Sequence, residues 1–270
     1  KELYIKYWKK YWKQDYDKIV KKLENSNKKP VLPETSSQTI SRMAKEHNIP
    51  RETISKLYSA SKSKNTNEML KVKDEAVKSS LEKIPKKNQA EFLKQANSLA
   101  FTCFGTKNET SALDVYCDKM NFDVSTTNEY FHNDIFIIEE FDNQPDVWSI
   151  GGKIDGLIDS NNNETINEDI ILEIKNRMRG LFNSLRDYEK VQCFAYMFIL
   201  DKKCVHLAEY YKSSQSSQSS QSNQSDSMNI IEVPWQDNFW YNQVVNKLSA
   251  FVDDFYLFLK SEDRKIAILS

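Results

Sequence analysis

Between Lys1 and Lys29 the apolar residues Tyr4, Ile5, Trp8, Tyr11, Trp12, Tyr16, Ile19 and Val20 recur every three or four positions, and ten lysines stand among them. That period predicts an amphipathic helix that docks by its aromatic face and turns its lysines outward. After Pro30 and Pro33, Ile40, Ala44, Ile49, Ile54 and Leu57 take the apolar positions of a helix-turn-helix over Ser37–Tyr58. Asn48 stands at the turn position usual for Gly, and Asn tolerates the left-handed conformation. Lys62–Leu99 predicts further polar, lysine-rich helix. From Phe104, the residues Leu113, Tyr116 or Cys117, and Met120 give another helical face. Glu109 lies four residues before Leu113 and would head that buried face, where an unpaired charge is costly; an acid favoured in the first turn by the helix dipole is the plain alternative.

After Tyr130 the pattern changes. Tyr130–Glu140, Val147–Ile158, Ile170–Lys175, Val205–Tyr211 and Ile230–Val233 predict strands. Leu181–Leu200 predicts a helix with Leu185, Tyr188, Gln192, Tyr196 and Ile199 along one face, Tyr188 and Tyr196 as packing residues and Gln192 as the one amide. Trp240–Leu259 closes the chain as an aromatic-rich amphipathic helix. The Ser/Gln repeat Ser213–Ser225 cannot bury apolar surface and predicts a flexible insertion over 213–226 at a hairpin tip. The expected fold is α/β, a central mixed sheet flanked by helices behind a helical N-terminal region. The expected division is a basic region 1–95 and a core 96–270.

The net charge of −1 conceals an asymmetry. Lys1–Lys107 carries a net +12 and the remainder a net −13, so the N-terminal part is suited to a polyanion and the rest is rich in carboxylates. In the helix-turn-helix, Arg51, Glu52, Ser55 and Lys56 would face a DNA groove; the plain alternative is a helical lobe bordering a DNA channel. Cys103, Cys117, Cys193 and Cys204 form no CxxC pair, and His47, His132 and His206 do not cluster, so zinc is not expected. Reduced thiols fit an intracellular protein, and no secretory or membrane-spanning segment is evident. The chain begins with Lys rather than Met, as an excised fragment would.

The stretch from Gly151 to Lys175 carries the candidate chemistry. Asp155 ends one apolar segment, and Glu173 and Lys175 sit two apart in the next, on one face of a strand. Across a hairpin Asp155 would join them. Two carboxylates suit Mg²⁺ or Mn²⁺, and a lysine beside them can orient a water or offset charge on a phosphate. A half-exposed hairpin with a surface salt bridge would give the same residues.

Asp155, Glu173 and Lys175 match the three signature positions of the PD-(D/E)XK nuclease superfamily, which has a restriction-endonuclease-like core. The run Gly105-Thr106-x-x-Glu109-x-x-Ala112-Leu113 resembles the phage lambda exonuclease and YqaJ viral recombinase branch, and Gln192 and Tyr196 match the Q-x-x-x-Y element of RecB-like nucleases. The resemblance spans roughly Ala96–Tyr211. It implies a metal-dependent deoxyribonuclease, a lambda-type exonuclease on duplex DNA ends in recombination, repair or defence. Glu109, Asp155, Glu173 and the Ile174 carbonyl would hold Mg²⁺ or Mn²⁺, with Lys175 and Gln192 in the chemistry and no iron–sulfur cluster. It further implies a ring or other homo-oligomer, and a helicase or annealing protein as partner. Ile154 replaces the proline that often precedes the strand aspartate. Arg177 and Arg179 are candidates for gripping substrate phosphates, and Arg42 and Arg51 are the arginines available in the N-terminal region. Glu164, Glu168 and Asp169 read as a solvated loop rather than ligands. A nicking or structure-selective endonuclease, or a DNA-binding protein with an inactive core, are the alternatives. Low-complexity Ser/Gln tracts with abundant Asn, Lys and Ile point to an AT-rich source such as a giant virus.

Overall fold

The computed structural model describes residues 1–26, 30, 34–60, 66–107, 109–141, 144–163, 165–178, 180–212 and 226–270. The N-terminal elements are α1 (Glu2–Tyr11), α2 (Lys13–Asn25), α3 (Ser36–Glu46), α4 (Arg51–Ala60), α5 (Thr66–Leu81), α6 (Lys86–Lys107) and α7 (Glu109–Met120). Then come β1 (Phe131–Phe141), β2 (Gln144–Gly152), β3 (Gly156–Ile158), β4 (Ile170–Arg177), α8 (Asp187–Leu200), β5 (Cys204–Tyr211) and β6 (Ser227–Pro234). A π-helical segment, Asn238–Val245, leads into α9 (Asn246–Lys260) and α10 (Glu262–Leu269). Among the described residues no helix is long and apolar enough to cross a membrane.

Two compact units form: Lys1–Thr39 with Asp237–Ser270, and Ile40–Gln236. This grouping differs from a division at 95/96, because the C-terminal helices supply the apolar surface that the N-terminal ones require. In the first unit Tyr4 meets Phe251, Phe255 and Phe258 edge-on at 5.2–5.5 Å between ring centroids. Trp8 is fully buried against Tyr16 and Phe258, and its indole N–H donates to Asp15 at 2.7 Å. The single helix expected over Lys1–Lys29 is thus two, broken at Trp12 (φ −119°, ψ 51°).

In the second unit Ile40, Met43, Ile49, Leu57, Ala76, Val77, Ile84, Phe92 and Ala96 make the core of a helical lobe. Asn48 turns the chain between α3 and α4 with φ 50°, as the helix-turn-helix pattern requires. The sheet has the order β3-β4-β5-β6, with β4 and β5 parallel and the outer pairs antiparallel. A parallel pair needs a crossover, and α8 supplies it. Leu172 and Ile174 of β4 share a face with Ala208 and Tyr210, packed on Ala112 and Tyr116 of α7. Strand alternation sends Glu173, Lys175 and Arg177 to the other face, where α8 lies.

The strand expected over Val147–Ile158 is two strands in different sheets. Among the described residues β2 pairs only with β1, in a ribbon that packs on α8, and the chain bends at Asp155 before β3 begins. Gly152 permits a close approach there: a Cβ would stand 2.7 Å from the Tyr196 ring. The helix expected from Leu181 starts at Asp187, because Gly180 (φ 123°) and Asn183 (φ 54°) turn the chain first. The Ser/Gln stretch Ser213–Ser225 lies outside the described residues; β5 and β6 pair up to Tyr211 and Ser227 on either side of it.

Candidate active site

Glu173 and Lys175 project from β4 onto α8, and the β3–β4 hairpin brings Asp155 to the same place, with Gly156 opposite Leu172. Asp155 Oδ2 accepts from the Ile174 backbone N–H at 2.7 Å. The carbonyl of a strand residue points to the same side as its N–H. The Ile174 carbonyl therefore also faces this edge, past the last β3 partner. Lys175 Nζ donates to Glu173 Oε1 at 2.5 Å and to Gln192 Oε1 at 2.8 Å. Gln192 Nε2 donates to Glu173 Oε1 at 2.9 Å and to the Tyr196 hydroxyl at 2.8 Å. Gln192 thus holds both the acid and the base of the strand from a helix, and Tyr196, expected only to pack, holds Gln192.

The electrostatics are strained in one direction. Glu173 is 4% exposed; burial and the neighbouring Asp155 push its carboxyl up to about 7, against the pull of Lys175 and Gln192. Asp155 is raised too, chiefly by burial, with the Ile174 N–H and Lys175 opposing. Glu109 opens α7 as an exposed residue rather than heading its buried face, where Ala112 and Tyr116 lie instead. Its carboxyl is nevertheless raised by partial burial and by the charge of Asp155, so it lies within the field of this pair. Among the described residues no three His, Cys, Asp or Glu side chains stand close enough together to hold a metal ion. The structure therefore assembles Asp155, Glu173, Lys175 and Gln192, and leaves Glu109 outside the close group.

Arg177 requires a correction. Instead of reaching a phosphate, its guanidinium is 8% exposed and donates through Nε to Glu209 and through Nη1 to Glu189, both at 2.8 Å. Both acids are fully buried, and Glu209 also accepts the backbone N–H groups of Phe182 and Asn183. The signal was an acid inside each of two apolar segments, Glu189 in α8 and Glu209 in β5. Tyr188, read as packing, is 60% exposed. Arg179, Glu164 and the side chains of Cys103, Gly105 and Thr106 lie outside the described residues. Arg51 and Lys56 are exposed on α4. Asp169 pairs with Lys202 and accepts from Ser160, so it serves the loop.

The profile of the YqaJ-like viral recombinase domain matches residues 51–211. The chain belongs to this family. The YqaJ-like region runs from the start of α4 to the end of β5, and so contains Glu109, Asp155, Glu173, Lys175, Gln192 and Tyr196. It places the protein in the PD-(D/E)XK branch, in keeping with a mixed sheet flanked by helices. No curated protein matches the chain. Among solved structures, an alkaline exonuclease (LHK-Exo) from Laribacter hongkongensis is similar at a TM-score of 0.39 and 14% identity, over 80% of this chain and 93% of that one. A second, SSO0001, is similar at a TM-score of 0.36 and 15% identity, over 64% of this chain and 69% of that one. Likenesses as distant as these carry no weight for mechanism.

Proposed function

We propose that this YqaJ-like protein is a divalent-metal-dependent deoxyribonuclease that hydrolyses duplex DNA from its ends. The observation that carries the reading is the convergence of Asp155, Glu173, Lys175 and Gln192 on one edge of the sheet. The donor set fits a hard cation: carboxylates and a backbone carbonyl are the ligands of Mg²⁺ and Mn²⁺. Two acids crowd a buried space, where burial and Asp155 push Glu173 up to about 7, and a cation would relieve that crowding. Mg²⁺ commonly takes one or two carboxylates plus substrate phosphates, so Asp155, Glu173 and the Ile174 carbonyl suffice. Glu109 stands one step further out. A bound cation would polarise the scissile phosphate and acidify a water.

The chain's own residues do the rest. Lys175, two positions from Glu173, carries its ammonium to where negative charge develops on the phosphate, and its one remaining donor can align the attacking water. Gln192 keeps Lys175 and Glu173 in a single arrangement by bonding to both. The burial of Glu173 limits water around the reacting atoms, which strengthens each of these interactions.

A time course on end-labelled linear and closed circular DNA, with Mg²⁺ or Mn²⁺ and with EDTA, tests the proposal. Cutting of linear duplex alone is expected, and only with metal. Lys175→Ala should lower the rate by ~100-fold or more while DNA affinity is retained. Undiminished cleavage by Lys175→Ala would remove the lysine from the mechanism, and nicking of closed circles would replace the exonuclease with an endonuclease.

A further inference from the structure

Phe182 lies between β4 and α8 and is 40% exposed. Two guanidinium groups sit over its ring: that of Arg177 at 4.2 Å from the centroid and that of Arg186 at 3.5 Å. The two arginines are in opposite electrostatic conditions. Arg177 is buried and neutralised by Glu189 and Glu209. Arg186 is exposed, and no carboxylate among the described residues pairs with its side chain. Its backbone is fixed by the start of α8: its N–H donates to Glu189 at 3.4 Å and its carbonyl accepts from the Lys190 N–H at 2.8 Å.

Stacking uses the face of a guanidinium and leaves the donors on its edge unoccupied. A cation oriented by a ring, and not by a counter-ion, keeps its whole charge and its fork for an external anion. The position is also apt. Arg186 precedes Gln192 by six residues, or ~9 Å along a helix axis, which matches about two or three nucleotide steps of a duplex strand.

We propose that Arg186, oriented by Phe182, binds a backbone phosphate of the DNA strand engaged by the site, a few nucleotides from the scissile bond. The choice of DNA as ligand rests on the nuclease reading above. Phosphate rather than base is the target because a forked donor matches two phosphate oxygens.

The test uses the full chain, a short fluorescein-labelled linear duplex, and EDTA to prevent cutting, with affinity measured across a salt series. Arg186→Ala should weaken binding about tenfold and reduce the slope of log K against log salt by about one, with unchanged thermal melting. Arg186→Lys should keep the slope and lose several-fold affinity, since an ammonium retains the charge without the fork. A slope unaltered in Arg186→Ala, or no DNA binding by the parent chain, overturns the inference. Parent protein that cleaves in Mg²⁺ while its binding ignores Arg186 defeats this inference alone. Parent protein that binds with an Arg186-dependent slope yet never cleaves defeats the nuclease reading alone.

Discussion

Glu173 and Asp169 are both acids of the same hairpin, and their surroundings push them in opposite directions. Glu173, buried beside another acid, is held up to about 7. Asp169 is brought down to about 2, first by the hydrogen bond from Lys202 and then by the backbone and hydroxyl of Ser160. An acid whose folded value lies below its unfolded value of about 3.9 contributes stability above that value and loses it as pH falls toward 2. Asp169→Asn should therefore cost about 1 kcal/mol at neutral pH, and the difference from the parent should shrink between pH 4 and pH 2. Urea denaturation at a series of pH values measures it; a difference that stays constant through that range would mean that charge is not the cause.

At the scale of elements, the Arg177 network ties β4, β5, α8 and the turn at Phe182–Asn183 together. Burial works against the charge of Glu189, yet it is held below its ordinary value because Arg177, the Tyr188 hydroxyl and the Arg186 N–H together outweigh that penalty. The network fixes where α8 begins, and α8 carries Gln192 to Glu173 and Lys175. Removing Arg177 would leave two buried carboxylates without a cation. Arg177→Ala should destabilise the fold by about 3–5 kcal/mol, seen as a lower denaturation midpoint. A loss below 1 kcal/mol would show that water reaches the two acids.

Across the whole molecule, apolar surface at both ends of the chain is buried in one unit. Ile5, Trp8, Tyr16, Ile19 and Leu23 are buried from the N-terminal side, and Val252, Phe255, Phe258 and Leu259 from the C-terminal side. Neither set has enough surface of its own to stay folded in water, where isolated short helices are marginal. Removal of residues 237–270 should make 1–39 rapidly cleavable in limited proteolysis, while the helical lobe and the paired strands β3, β4 and β5 of the second unit remain resistant. Persistent resistance of 1–39 would show that α1 and α2 hold together alone. The net +12 of Lys1–Lys107 spans both units, so it describes the chain and not one domain.

The sequence by itself determined most of the elements and singled out the residues of the proposed site. Period-two and period-3.6 patterning marked β4, β5, α8 and the helical lobe, and a spacing of two placed Glu173 and Lys175 on one face whatever the rest of the fold. Local rules do not reach further than that. Whether an arginine two residues beyond Lys175 meets solvent or two buried acids depends on which helix covers the strand, and only the packing of α8 decided it. The same packing bonded Gln192 to both members of the strand pair, exposed Tyr188, and placed Arg186 over Phe182. Likewise the aromatic stripe of Lys1–Lys29 required a partner face, but nothing in its period could say that the partner lay more than two hundred residues away. Periodicity records how much surface must be buried; which surfaces meet is settled by contacts distant in sequence.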